Sequence, residues 1–362
     1  MRVVVIGAGV AGLTTAIALA ERGAEVSLVE RAPALGGNAS WLAGGMLAPF
    51  CEGESAPASV VELGQDAIDW WAAHVPGVAR EGTLVVAAPR DGSEIERFAA
   101  RTKGHERVDE ARIGALEPDL AGRFHKGLFF AAEGHLDPRR ALSALADRLR
   151  RLGAELVFGE DGDSHAADGD VVVDCRGFAA RPDLPELRGV RGEMIRLRTR
   201  EVKLARAVRF LHPRIPLYVV PRRDGEYMIG ATMIESAEKG AVSARSAIEM
   251  LIAAYALHPA FGEAEILELG AGVRPAYPDN EPRIEERLGR IFVNGLYRHG
   301  FLLAPSLAAK AADLAFAQAE NEPHLGRWLV KNLAGLGELE LPSRDGDRPD
   351  PLAGLFEDEA DA

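Results

Sequence analysis

Val3-Val4-Val5-Ile6 opens the chain as a β-branched run with no polar interruption. Such a run predicts a strand buried on both faces of a parallel sheet. Leu13, Ile17 and Leu19 then recur among alanines and predict a small-residue helix ending near Gly23. Glu25 to Val29 predicts a second strand, closed by Glu30, so the first thirty residues read as a βαβ unit. Asn38 to Pro49 is Gly-rich and poorly periodic, a loop. Helices are predicted over Ser59–Trp71 and Ser93–Thr102, with a strand over Gly82–Ala88 between them. Asp137-Pro138 places a cap before a first-turn proline and opens a helix running to Arg151. Asp170 to Asp174 is another buried-strand run, ending at Cys175-Arg176-Gly177.

From Gly189 to Gly270 the pattern changes. Val190–Leu197, Leu217–Val220 and Tyr227–Ile229 read as strands, the last two joined by a hairpin turn at Arg223-Asp224-Gly225, and Ser243–Tyr255 reads as a helix. Ile291 to Gly295 returns to the buried-strand style, and Phe301–Ala319 is helical. The layout is α/β: a Rossmann-type core in non-contiguous pieces with an antiparallel-sheet domain inserted between them. No internal repeat is present.

Gly7-Ala8-Gly9-Val10-Ala11-Gly12 sits between the first strand and the first helix. Gly7 permits the tight turn, Gly9 lets a pyrophosphate reach the backbone, and Gly12 lets helix and strand pack closely. Phosphates then meet the unpaired N–H groups and positive dipole end of the helix. Glu30, at the end of the second strand, can accept from ribose hydroxyls. The complete context points to a dinucleotide and leaves NAD and FAD open.

Composition narrows the class. The 362 residues are long enough for two domains, and the net charge of −13 comes without a basic stripe, which argues against nucleic-acid binding. Nine acidic residues against Arg344 and Arg348 lie between Glu338 and Ala362, so this end is expected to be a disordered acidic tail. Two cysteines, Cys51 and Cys175, make neither a disulfide framework nor a metal cluster, and no metal is expected. No signal peptide is read at the start and no apolar stretch is read as long enough for a membrane span, so the expected compartment is the cytoplasm.

Three further segments carry a family resemblance: Asn38-Ala39-Ser40-Trp41-Leu42-Ala43-Gly44-Gly45-Met46-Leu47-Ala48-Pro49; Tyr218-Val219-Val220-Pro221-Arg222 leading to Gly230-Ala231-Thr232-Met233; and Gly270-Ala271-Gly272-Val273-Arg274-Pro275 followed by Gly295-Leu296-Tyr297-Arg298-His299-Gly300-Phe301-Leu302-Leu303-Ala304-Pro305. They resemble the D-amino-acid oxidase superfamily, and most closely its glycine oxidase branch, which serves thiamine thiazole synthesis. The resemblance reaches to about Gln318. It implies FAD, non-covalently bound, in a domain formed by 1–77, 134–188 and 272–330, with a substrate domain formed by 78–133 and 189–271. It also implies a homo-oligomer, the tetramer being the family's habit.

By the same resemblance Arg274 pairs with the substrate carboxylate, Arg298 is a second substrate contact, and Tyr218 and Met233 line the substrate pocket, with packing in the sheet core the alternative for these last two. Gly44, Gly45 and Met46 lie along the isoalloxazine, and Ala39 and Ser40 meet the ribityl and pyrophosphate. Further cofactor contacts are assigned to Gly7, Gly9, Val10, Ala11, Gly12, Glu30 and Arg31. At the C-terminal end they are Leu296, Tyr297, Arg298, His299, Gly300, Phe301 and Leu302. Asp161 is the nearest match for the adenine contact, in a stretch that departs from the family's usual apolar residue. Cys175 is expected to pack near the adenosine, and His135 and His299 to be structural.

The implied reaction takes a small amino acid and dioxygen to an imine, then a 2-oxo acid, and hydrogen peroxide. The α-hydrogen leaves as hydride, which asks for positioning and an electron sink more than for a protein base. Glycine is favoured by Arg298, where D-amino-acid oxidases usually carry Gly. Oxidation of D-amino acids or sarcosine, a quinone-linked dehydrogenase, and a non-catalytic FAD-binding subunit stay open.

Overall fold

Val3 and Val5 on one face of the first strand, and Val4 and Ile6 on the other, are all buried, so this strand sits inside a sheet covered on both sides. The sheet has six strands, in the order Arg283–Arg287, Arg290–Asn294, Val171–Asp174, Arg2–Ile6, Glu25–Glu30, Glu155–Phe158. All neighbours run parallel except the edge pair Arg283–Arg287 and Arg290–Asn294. Val3, Val5, Val26 and Leu28 pack against the helices Val10–Glu21 and Pro138–Arg151 through Leu13, Ile17, Leu142 and Leu145. Asp137 caps the second of these, accepting from Arg139 N–H at 3.0 Å.

In this computed structural model the described residues are 1–212 and 216–334, the side chains of 321–334 excepted. Met1–Ala319 forms one unit and Glu320–Ala362 another, of which only the end of the helix Gly300–Ala334 is described. The acidic stretch 338–362 lies outside the described residues.

A second sheet has nine strands. Along one path they run Ile234–Glu235, Arg188–Arg198, Glu226–Gly230, Leu217–Pro221, Ala207–Leu211, Thr83–Ala87, Lys126–Phe130 and Glu106–Asp109, while Glu265–Ala276 pairs with Arg188–Arg198. It is antiparallel except where Thr83–Ala87 meets Ala207–Leu211 in parallel. Val208, Phe210, Leu217, Val219 and Ile229 turn to one face, under the helix Ala244–Leu257, which Ser243 caps. The intervening positions, Arg209 and Tyr218 among them, turn to the other face. There they line a cavity.

Several expectations change. The single helix over 59–71 is two, Ala58–Gly64 and Ala67–His74. Gly64 lies bare against Leu302, and Asp66, at φ −90° and ψ 1°, stands outside helical geometry as the N-cap of the second helix. The strands Lys126–Phe130, Ala207–Leu211 and Glu265–Ala276 were not anticipated; the last carries Gly270 and Gly272 in its middle. Nor is every apolar stretch short: Gly300–Glu320 spans 21 residues at a mean hydropathy of 1.3, long and apolar enough to cross a membrane. Phe301, Leu302, Leu303 and Leu307 bury this helix in the core beside Trp71 and Leu13, the pattern of a core helix.

Candidate functional site

Three glycines shape one end of the site. Gly7 takes φ +103°, and a Cβ there would lie 2.8 Å from the Cys175 carbonyl oxygen. A Cβ on Gly12 would lie 1.8 Å from the Gly7 oxygen, so the helix starts hard against the strand only because position 12 is bare. Gly9 is the N-cap and offers no side chain to the helix N-terminus. Glu30 accepts from the Ala8 N–H at 2.7 Å and the Ala32 N–H at 2.9 Å, one bond to each carboxylate oxygen. Ser40 Oγ accepts from the Val10 N–H at 3.0 Å and ties the loop to the same helix end.

The Gly-rich loop continues as a strip held from several sides. Gly45 takes φ +69°, and a Cβ on it would come within 2.3 Å of the Leu136 carbonyl oxygen. A Cβ on Gly44 would come within 2.7 Å of the Tyr218 ring. The Gly44 carbonyl accepts from Arg222 Nη2 at 2.6 Å, the Gly45 carbonyl accepts from Leu136 N–H at 2.9 Å, and Met46 pairs with His135 across a short antiparallel ladder. Among the described residues, none accepts from the N–H of Gly44 or Gly45.

At the far end stand three arginines. Arg274, on Glu265–Ala276, donates from Nη1 to the Thr232 carbonyl at 3.0 Å. Its guanidinium occupies the space a Cβ on Gly192 would take, 2.1 Å from Nη2. Burial draws Arg274 below its usual pKa, from so high a value that it stays charged. Burial pushes the Tyr218 phenol up, so it remains a donor. Arg298 Nη2 lies 3.0 Å from Glu52 Oε2 and 2.6 Å from Ser55 Oγ, while its Nη1 lies 3.4 Å from Met233 Sδ. Glu52 also pairs with Arg209 at 3.3 Å and lies 3.4 Å from His299 Nδ1. Burial would raise the Glu52 carboxyl, but Arg298, Arg209 and His299 outweigh it and hold the group down at about 2. Burial lowers His135 and His299 to about 4 each, so neither is poised near neutrality as a general base would be.

One cavity of about 1010 Å³ joins the three regions, at the upper end of small-molecule sites and large enough for a dinucleotide with a small substrate beside it. The FAD dependent oxidoreductase family, DAO, matches residues 2–314. This chain belongs to that family. FAD is therefore the cofactor of this oxidoreductase. A Rhizobium etli protein named as a thiamine biosynthesis oxidoreductase, ThiO, is 58% identical over 313 residues, 86% of this chain and 95% of its own. A glycine oxidase of Pseudomonas aeruginosa is 28% identical, over 86% of this chain and 94% of its own. The crystal structure of glycine oxidase from Geobacillus kaustophilus shares the fold, with a TM-score of 0.72 at 24% identity, covering 87% of this chain and 95% of that one.

The residues fit FAD. A bare glycine turn and a helix N-terminus suit the pyrophosphate. The strip of small residues with unclaimed N–H groups suits a flat ring system. Of the residues assigned from the sequence, all except Gly12 line the cavity. Gly12 instead lies beneath the turn, against Gly7. Asp161 Oδ1 accepts from the Asp163 N–H at 3.1 Å and caps the short turn Gly162–Asp168 at the cavity edge. Met233 is half exposed at the substrate end, a side chain at the rim rather than in the core. Cys175 is buried beneath Gly7.

Sequence reasoning missed Glu52, Arg209 and Arg222. Glu52 directly follows the Gly-rich strip, in a four-residue helix Pro49–Glu52, and no motif marks it. Arg209 lies on a strand that was not anticipated. Arg222 stood within a quoted segment without a role. Among the described residues, no cluster of three or more metal-ligating side chains occurs.

Proposed function

We propose that this flavoenzyme oxidises glycine: glycine, dioxygen and water become glyoxylate, ammonia and hydrogen peroxide, in the service of thiamine thiazole synthesis. The observation that carries the reading is the Arg274 guanidinium, set into the cavity wall by Gly192 beside Tyr218. Two of its N–H directions suit a carboxylate, which a bidentate arginine orients as well as binds. Tyr218, protonated, adds a further donor.

Arg298 is already engaged by Glu52 and Ser55, which leaves Arg274 as the arginine open to a carboxylate. Met233 covers the same end through its contact with Arg298. The names of the relatives, thiamine biosynthesis oxidoreductase and glycine oxidase, support the same substrate.

When bound, FAD supplies the acceptor for the α-hydrogen and its electron pair. The chain's own part is to hold the carboxylate at Arg274, so that the α-carbon faces the Gly44–Met46 strip. Glu52, held near 2 chiefly by Arg298 and Arg209, is too weak a base to take the amine proton, which therefore leaves to solvent before or during binding.

Purified holoenzyme assayed for peroxide with glycine, sarcosine and D-alanine tests this. Glycine is expected to give the highest kcat/KM. A clear preference for D-alanine or sarcosine moves the enzyme to the neighbouring branch, and no peroxide with any of them, despite turnover with a quinone dye, makes it a dehydrogenase.

A further inference from the structure

Arg222 is an arginine whose neighbours have taken the carboxylates. Arg139 and Arg196 share Glu268, at 2.8 and 3.0 Å, and Arg196 and Arg198 share Glu226. Arg222 sits among these groups behind the strip, around a small second cavity, and does not line the large one. Among the described residues it has no carboxylate at ion-pair distance; it donates to the carbonyls of Gly44, at 2.6 Å, and Pro221, at 3.3 Å. Burial lowers its pKa to about 10, which still leaves it charged at neutral pH. A mostly buried cation that meets only peptide oxygens costs stability.

The Gly44 carbonyl and the Gly45 N–H belong to one peptide plane, and that bond is trans, since the cis bond among the described residues is Gly230–Ala231. In a trans peptide the two groups point opposite ways. Arg222 holds the oxygen from behind, so the N–H, which no described residue accepts, faces the large cavity. We infer that Arg222 is a positioning residue that acts on the flavin through this peptide: its charge on the Gly44 oxygen fixes the plane and polarises the amide, making the Gly45 N–H a stronger donor to the ring. Hydrogen bonds in a chain reinforce one another, and a charged donor at one end strengthens the next. A stronger donor favours the ring once it carries added electron density, as it does when reduced. This inference rests on the seat of the ring against the strip proposed above.

The test uses holoenzyme and two readouts other than turnover: the affinity for sulfite, which adds to the reactive nitrogen of oxidised flavin, and the two-electron midpoint potential. R222Q removes the charge. It is expected to weaken sulfite binding by about tenfold and lower the potential by about 30 mV, the equivalent of tenfold for two electrons. R222K keeps the charge but replaces the planar fork with a single ammonium, and is expected to lose about threefold. R222Q within about twofold of wild type in both readouts overturns the inference. If R222Q does not fold, R222M, which keeps most of the length of the side chain without its charge, decides in its place, and an R222M within about twofold of wild type overturns the inference.

M46A separates the inference from its premise. A flavin absorption spectrum unchanged in M46A removes the ring from the strip, and the inference with it. A shifted M46A spectrum beside an R222Q of unchanged potential removes the role of Arg222 alone.

Discussion

Arg298 Nη2 lies 3.0 Å from Glu52 Oε2, so the second cation at the substrate end is neutralised before any substrate arrives. Arg274, by contrast, meets only the Thr232 carbonyl among the described residues. Of the three arginines at this end of the cavity, Arg298 and Arg209 are paired with Glu52 and Arg274 is not. That difference is what the proposed seat for the carboxylate at Arg274 rests on.

Arg274→Ala is expected to raise KM for glycine by about 100-fold, or ~2.8 kcal/mol, with little change in FAD content. Steady-state kinetics on enzyme normalised by flavin absorbance checks it. A near-normal KM would mean the carboxylate is held elsewhere.

Gly192→Ala reaches the same guanidinium without touching it. Its Cβ would fall 2.1 Å from Arg274 Nη2, and the flexible arginine is the group that yields. KM is expected to rise by about tenfold, or ~1.4 kcal/mol, with melting temperature and FAD binding kept. A lost fold in place of a raised KM would place the strain in the backbone instead.

Glu52→Gln leaves Arg298, Arg209 and His299 facing a neutral amide. Removing one member of a buried ion cluster costs about 3 kcal/mol. The sign with pH follows from a carboxyl depressed to about 2 from an ordinary 4.5: its stabilisation is full above pH 4.5 and is lost as pH falls through about 2. The stability gap between wild type and E52Q should therefore be widest at neutral pH and narrow on acidification. Chemical denaturation at several pH values measures it, and a gap that is constant with pH would contradict the ionised assignment.

Glu133 behaves in the opposite sense. Burial lifts its carboxyl to about 7, with the Cys51 N–H at 2.7 Å offsetting only part of the shift. The folded state holds this proton more tightly than the unfolded chain, so its contribution is intact below pH 4.5 and falls as pH rises to about 7. The shift amounts to roughly 3 kcal/mol. E133Q should flatten the decline in melting temperature between pH 5 and pH 8, and an equally steep decline in E133Q would assign it to another group.

Much of the nucleotide end was legible because local chemistry marks it. A β-branched run, a glycine turn and a carboxylate at the end of the next strand each have one economical reading, and the six-stranded sheet carries them as neighbours. The placing of Arg274 at the other end of the cavity was reached only through resemblance, since it lies in a strand whose two glycines hide its period. Glu52, Arg209 and Arg222 were not legible. Each is an ordinary charged residue until tertiary closure brings together segments from distant parts of the chain, as when Arg209 meets Glu52. The broken helix at Gly64-Gln65-Asp66 escaped for a similar reason: the neighbour against which Gly64 lies bare, Leu302, is far along the chain.

The parallel seam between Thr83–Ala87 and Ala207–Leu211 imposes an order on biosynthesis. As the chain leaves the ribosome, Thr83–Ala87 can pair with Lys126–Phe130 well before its other edge finds a mate. Until then a row of unpaired peptide groups stands open, an invitation to other nascent chains. Yield of native enzyme should therefore depend on chaperone supply more steeply than its final stability would suggest.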